Sequence, residues 1–375
     1  MGKKEKKERK KSNGFIRFIK IIIILALIAL GVFFGALSKE QRDKILGKLD
    51  KAKVDFKEIS APKLKIIDEE SKERPIAVVY DNNVDAWSHS GLSNAYAIYE
   101  FPVEGGESRV LGFYKNKKDL IVGPIRSARH YFLDYILEHD AIFAHIGQSP
   151  KARADIQTLD ISDINGQAYD SGRVRNKKST KEYWRESSKY SPHNSYSDLT
   201  NLKDISEKQG FKKETNQKVP FKYSAINVDL PEDKSKKIKS LTGAYHEGNA
   251  TEFIYSEKTK MYQKKSKGVL QLDEKTGKPL ELKNIVILKT SVTVLPDGDL
   301  KDRKNVKTTG VLEGIYSTNG RVMKIKAKKD SRAAKTKYLD EDGNEIIFND
   351  GITFVMIVPD KKPGYYDYNE VNDKN

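Results

Sequence analysis

Residues 21–37, IIIILALIALGVFFGAL, form the stretch that most limits what this chain can become. It carries no charge and almost no polar atom, and Phe15, Ile16, Phe18 and Ile19 extend its apolar character. A helix rises 1.5 Å per residue, so about 20 such residues cross the hydrocarbon core of a bilayer. A helix of a soluble protein needs only one apolar face, and this stretch is apolar on every side. The pattern predicts a transmembrane helix over 21–37, surrounded by membrane lipid. Nine basic residues among the first twenty are opposed only by Glu5 and Glu8, so the tail 1–20 is about +7. Arg17 and Lys20 can snorkel to the headgroups. Basic residues stay on the cytoplasmic side, so the chain is expected to cross the cell membrane once, with its N-terminus cytoplasmic and its bulk extracellular. Two rival readings are a buried core helix and a cleavable signal peptide cut near Ala36-Leu37-Ser38. Signal peptides have a shorter apolar core, about 7–15 residues.

The chain has no cysteine. Disulfides, zinc–thiolate sites, thiol nucleophiles and a lipid attached after the apolar run are therefore excluded. About 338 residues follow the run, enough for two domains stabilised by their cores. The net charge is +16, which leaves about +9 outside the membrane. That excess suits an anionic envelope partner, such as peptidoglycan carboxylates or an anionic polymer. Nucleic acid is not expected as a partner, because the chain is exported and shows no recognition motif.

Along the chain, 38–72 is highly charged with weak helical spacing and reads as a stalk, or alternatively as a first helix docked on the domain. From 73 to 205 short apolar runs alternate with helical patterns. Pro75–Tyr80, Ala95–Val103, Arg109–Tyr114 and Ala141–Ile146 read as strands. Ser127 reads as the N-cap of a helix over 128–139, and Ser149-Pro150 as the start of another. The lysine-rich stretch 206–240 reads as a connector. From 241 to 362, alternating runs separated by turns such as Thr318-Asn319-Gly320 read as antiparallel strands. Residues 363–375 read as a polar tail. The expected fold class is therefore α+β: one transmembrane helix, an N-terminal mixed α/β domain, then a smaller antiparallel β-rich domain.

Polar residues recur at strand ends and strand-to-helix turns, where α/β proteins place their sites. Asp81 follows the first strand and Glu104 sits in a glycine turn; either is a candidate acid or base, with His145 assisting. Arg126, Ser127 and Arg129 beside a helix start suggest a cradle for carboxylate or phosphate. His145, His193 and Asn194 complete the candidate ligand-binding set. Each also has a bland reading as a cap, hairpin tip, solvated helix start or satisfied core histidine. The six histidines are too scattered to imply a metal site. No zinc helix, nucleophile elbow, phosphate loop or dinucleotide fingerprint is present, and no cofactor is expected.

The segments RPIAVVYDN (74–82), YEFPVEGGESRVLGFY (99–114), GPIRSARHYFLDYILEHDAIFAHIGQSP (123–150) and YWRESSKYSPHNSY (183–196) resemble the YerB-like lipoprotein family of bacteria. The stretch from Phe253 to Val358 is similar to that family's second part. The resemblance implies an envelope location, an N-terminal α+β part and a smaller C-terminal β-rich part, and no established reaction. Two features depart from the family: the missing cysteine, and Ile146-Gly147-Gln148 where a glycine-rich pattern is usual. Three functions remain open from the sequence. One is a membrane-anchored protein that binds an anionic envelope glycan, peptidoglycan or polymer. Another is a cell-wall glycan hydrolase or lyase using Glu104 or Asp81. The third is a scaffold whose polar strand ends only join the two parts. Oligomeric state is not readable from the sequence.

Overall fold

The computed structural model describes residues 37–48, 62–169, 182–296, 298 and 301–371. Apart from Leu37, the transmembrane stretch expected over 21–37 lies outside the described residues, as does the basic tail 1–20. Among the described residues, no helix is long and apolar enough to cross a membrane. The chain divides into two units, Met1–Lys63 and Leu64–Asn375.

In the first unit a helix covers 39–48, with mostly exposed side chains. Its start is a reciprocal capping box. Ser38 Oγ accepts from the Gln41 amide at 3.3 Å, and Gln41 Oε1 accepts from the Ser38 amide at 3.1 Å.

The second unit is built on one large mixed sheet. Its main strands are β1 (Ile76–Asp81), β2 (Ala97–Pro102), β3 (Ser108–Tyr114), β4 (Ile142–His145), β5 (Asp163–Asn165), β6 (Lys236–His246), β7 (Asn249–Ser256), β8 (Met261–Ser266), β9 (Asn284–Thr290), β10 (Gly310–Thr318), β11 (Arg321–Lys329), β12 (Thr353–Pro359) and β13 (Tyr365–Glu370). From one side to the other the order runs β8, β7, β6, β11, β10, β9, β12, β2, β3, β1, β4, β5, and β13 pairs with β6. Three helices flank it: α1 (Leu133–His139), α2 (Pro150–Thr158) and α3 (Leu199–Lys208).

β12 is the decisive strand. It comes from the end of the chain, yet it lies between β9 and β2 and is parallel to both. Residues Ile76, Val78 and Tyr80 of β1 share one apolar cluster with Ile285, Ile287, Phe354 and Met356. The alternate residues Ala77 and Val79 share the other cluster with Val286, Leu288, Val355 and Ile357. Alternation along a strand sends neighbours to opposite faces, so both faces of this sheet are buried. Neither half of the chain owns a core.

This overturns the expected N-terminal α/β domain with a separate, smaller β domain. The cause is β12, whose run TFVMIVP is buried almost throughout and completes the sheet edge that β2 presents. Three boundaries shift with it. Ile67 is in the core, and Asp350 accepts from the Lys65 and Ile66 amides, so the end of the supposed stalk belongs to the fold. The presumed connector begins inside α3 and is stitched back by backbone bonds such as Arg74 N to Lys213 O, 2.8 Å. The presumed tail contains β13.

Two buried ion pairs also cross between the sequence halves. Glu100 of β2 meets Lys264 of β8 at 3.1 Å, with both side chains within 1% of complete burial. Glu138 of α1 meets Lys329 of β11 at 2.7 Å and also accepts from the Thr336 amide and hydroxyl. Burial pushes the Glu138 carboxyl above the usual range, against the pull of Lys329.

Candidate functional site

Asp81 ends β1, where the strand turns away from the sheet. Its backbone N–H donates to Pro124 O and Arg126 N–H donates to Val79 O, both at 2.9 Å, so segment 124–126 runs beside the end of β1. This brings the Arg126 Nε to 3.0 Å from Asp81 Oδ2. His193 Nδ1 reaches the same oxygen at 2.6 Å, and Oδ1 accepts from the Asn83 amide. Three of the expected residues, Asp81, Arg126 and His193, therefore converge on one carboxylate.

A second group lies one strand away, since Asp81 pairs with Arg109 across β1 and β3. Arg129 binds both oxygens of Glu104, and Arg109 lies 3.9 Å from it. Arg109 Nη1 donates to the Ser127 carbonyl at 2.6 Å. Burial, reinforced by the positive charge of Arg126, pushes Arg109 down to about 10, with Asp81 opposing. Burial likewise pushes Arg129 to about 10. Both guanidinium groups stay charged at neutral pH, and Glu104 is committed to holding them.

The helix-start cradle does not form. The segment through Ser127 is extended, because Ala128 N–H donates to Gly147 O and Ile146 N–H donates to Arg126 O. Helical structure begins only at His130, as a single tight turn leading into α1, and Arg129 caps it without a side-chain bond. Extended pairing with the 146–149 segment takes the Ala128 amide, which a helix start would have left unpaired. The Ser149-Pro150 helix start does form: Ser149 Oγ accepts from Ala152 N at 3.2 Å.

His145 is fully buried, with Nδ1 2.8 Å from Gly147 O, Nε2 3.2 Å from Asp163, and its ring against Phe143. Both ring nitrogens are thus committed to partners within the fold. Asn194 is a loop organiser: its amide nitrogen donates to the Glu186 and Lys189 carbonyls, and its Oδ1 accepts from Arg185 Nη1.

Arg126, Ser127, Gly147, Gln167, Arg185 and Pro192 line a pocket of about 360 Å³. Among the described residues the Arg126 Nη atoms make no hydrogen bond. Arg126 and Arg185 both line the pocket, and Asp81 lies against the Arg126 guanidinium. Arg185 and Gln167 were missed by sequence reasoning; Arg185 stood inside the YWRESSKYSPHNSY segment but was not singled out. Gly147 has φ +75°, and a Cβ there would lie 2.9 Å from Ser127 Oγ. Gly147→Ala is expected to cost about 1–2 kcal/mol, through the left-handed conformation, and to narrow the pocket. Urea unfolding checks this; an unchanged midpoint would refute the strain. No group of three or more potential metal ligands occurs among the described residues.

The N-terminal domain of DUF3048, a protein family of unknown function, matches residues 63–212, and its C-terminal domain matches residues 241–355. The chain belongs to the DUF3048 family. A relative described as "Putative lipoprotein YerB", from Bacillus subtilis (strain 168), is 30% identical over 332 residues, spanning 88% of this chain and 93% of the relative. The crystal structure of the YerB protein from Bacillus subtilis superposes with a TM-score of 0.68 at 27% identity, covering 82% of this chain and 99% of that one. The resemblance read from the sequence thus holds across both DUF3048 segments. In this member the two segments share a single sheet.

Proposed function

We propose that this DUF3048 protein is a membrane-associated, extracytoplasmic binding protein that captures an anionic group of a cell-envelope glycan or polymer in the Arg126 pocket. The observation that carries the reading is Arg126 itself. Its Nε is anchored against Asp81, while its two Nη groups stay uncommitted beside Ser127, Gln167 and Arg185. An anchored guanidinium with a free end is suited to bidentate capture of carboxylate or phosphate. The name of the Bacillus subtilis relative as a lipoprotein supports a membrane location, as does the basic, apolar N-terminal segment. The carboxylates considered as acid or base favour binding over hydrolysis here, because Asp81 is held by Arg126 and His193, and Glu104 by Arg129. Arg126→Ala is expected to weaken retention on purified cell-wall sacculi by tenfold or more, since hydrogen bonds to charged groups are worth about 1.5–3 kcal/mol. Retention should also fall as salt rises. Equal retention of Arg126→Ala and wild type would remove the pocket from the function.

A further inference from the structure

We propose that a second cleft, on the other side of the 186–194 loop, is a stacking subsite for an uncharged sugar ring of the same glycan. The inference rests on the anion-binding reading for the neighbouring pocket. The cleft encloses about 560 Å³ and is lined by Trp87, Tyr190, Asp85, Lys189 and Glu274, among others. Tyr190 is 87% exposed, the most exposed large hydrophobic side chain among the described residues, and Val84 beside the cleft is 48% exposed.

The cleft is built rather than incidental. Trp87 is half-buried, and its indole N–H donates to Asn82 Oδ1 at 3.1 Å. Lys189 Nζ donates to the Ala86 and Ser88 carbonyls at 2.7 and 2.6 Å. That clamp fastens the loop carrying Tyr190 to the segment carrying Trp87. Glu274 closes the floor by accepting from Ser90 Oγ and the Tyr196 hydroxyl at 2.5 and 3.0 Å, with Lys189 3.5 Å from its other oxygen. Asp273 is spent on the 273–276 turn and on Ser93. The Asp85 carboxylate makes no bond among the described residues, so it is available to accept from sugar hydroxyls.

Charge separates the two sites. The first pocket has two arginines in its lining, whereas this cleft presents Asp85, Asp273 and Glu274 against a single lysine that is already committed. An anion is disfavoured there, while a neutral pyranose offers a C–H face to the aromatic rings and hydroxyls to Asp85. One loop supplies a wall to each site, Tyr190 to the cleft and Pro192 to the pocket. A glycan that carries both neutral rings and anionic substituents can occupy both.

The test is calorimetry on the detergent-solubilised full-length chain with two probes, fully N-acetylated chitotetraose as a neutral oligosaccharide and inorganic phosphate as an anion. Chitotetraose should bind, Tyr190→Ala should weaken it about tenfold, consistent with about 1.4 kcal/mol for a stacked ring, and Arg126→Ala should leave it unchanged. Phosphate should show the opposite dependence. Absent chitotetraose binding, or equal affinity in Tyr190→Ala, overturns the subsite. Chitotetraose binding that depends on Tyr190, together with phosphate binding indifferent to Arg126, upholds the subsite and removes the anion reading instead. Tyr190 is so exposed that its truncation leaves the fold intact, which near-identical thermal unfolding would check.

Discussion

Lys264→Met should lower the stability of the chain by about 3–5 kcal/mol, because it leaves Glu100 charged and buried without its cation. Glu100 has no route to water: it is fully buried on β2. Ser108 Oγ and Asn82 Nδ2 donate to its Oε1, at 2.8 and 3.3 Å, and neither supplies a positive charge. The measurement is the urea midpoint at constant slope. A change under 1 kcal/mol would mean that the pair is open to solvent. The double variant Glu100→Leu/Lys264→Met should recover part of the loss, since an apolar pair avoids desolvation altogether. It should not recover all of it, because Asn82 and Ser108 then lose their acceptor. The same substitution tests the architecture. Lys264 lies in the C-terminal half of the sequence and Glu100 in the N-terminal half, so a single cooperative transition should shift as a whole. Two separate transitions, only one of them shifted, would contradict the shared sheet.

Acidification should destabilise the chain between pH 6.5 and 4. His89 is buried, with its Nε2 2.6 Å from the Asp81 carbonyl. Burial pushes it down to about 4; Lys264 and Lys189 face it and add to the fall, while the Asp81 bond and charge oppose it. Folded His89 is thus neutral where unfolded His89, titrating near 6.5, takes up a proton. A group with a depressed folded pKa contributes stability that is present above its unfolded value and lost as pH falls toward its folded value. The full difference corresponds to about 3 kcal/mol. His139 acts in the same direction: it is buried between the Tyr96 and Tyr99 hydroxyls and pushed well below its usual range by burial and by Lys329 and Lys335. Unfolding free energies measured from pH 4 to 7 should rise with pH and level off above 6.5. His89→Gln should flatten that slope while keeping a donor toward the Asp81 carbonyl; a slope unaltered in this variant would refute the assignment.

Much of the local structure was legible in the sequence, because it is locally encoded. Ile76–Asp81 and Ile142–His145 are short apolar runs with polar ends, and Ser149-Pro150 carries a helix start in two residues. What was not legible is non-local. Nothing within TFVMIVP says that this run will lie beside Ala97–Glu100 rather than inside a separate domain. Lysine-rich composition made 206–240 look like a linker, although its backbone is tied to the segment leading into β1 by bonds from Arg74 N–H to Lys213 O and from Thr215 N–H to Lys72 O. The site was half legible for the same reason. Asp81, Arg126 and His193 are polar residues at or near element ends, and they do meet. Ser127 looked like a cap because serine caps well, but the Ala128 amide beside it donates to Gly147, which is distant in sequence. Arg185 and Gln167 join the pocket only through folding, and no spacing in the chain announces them.

The insertion of Thr353–Pro359 between β9 and β2 also governs the order in which the molecule can be completed. β2 is made before its neighbour on that side, which follows only after most of the other strands of the sheet. At about 5–20 residues per second, the roughly 250 residues in between take on the order of 10–50 s to emerge. Through that interval the β2 edge stays unpaired and apolar, a template for the wrong strand. A truncation that removes only the last few dozen residues would therefore leave the earliest-made part of the sheet open, and the quality control of nascent chains would meet an N-terminal half that cannot close by itself.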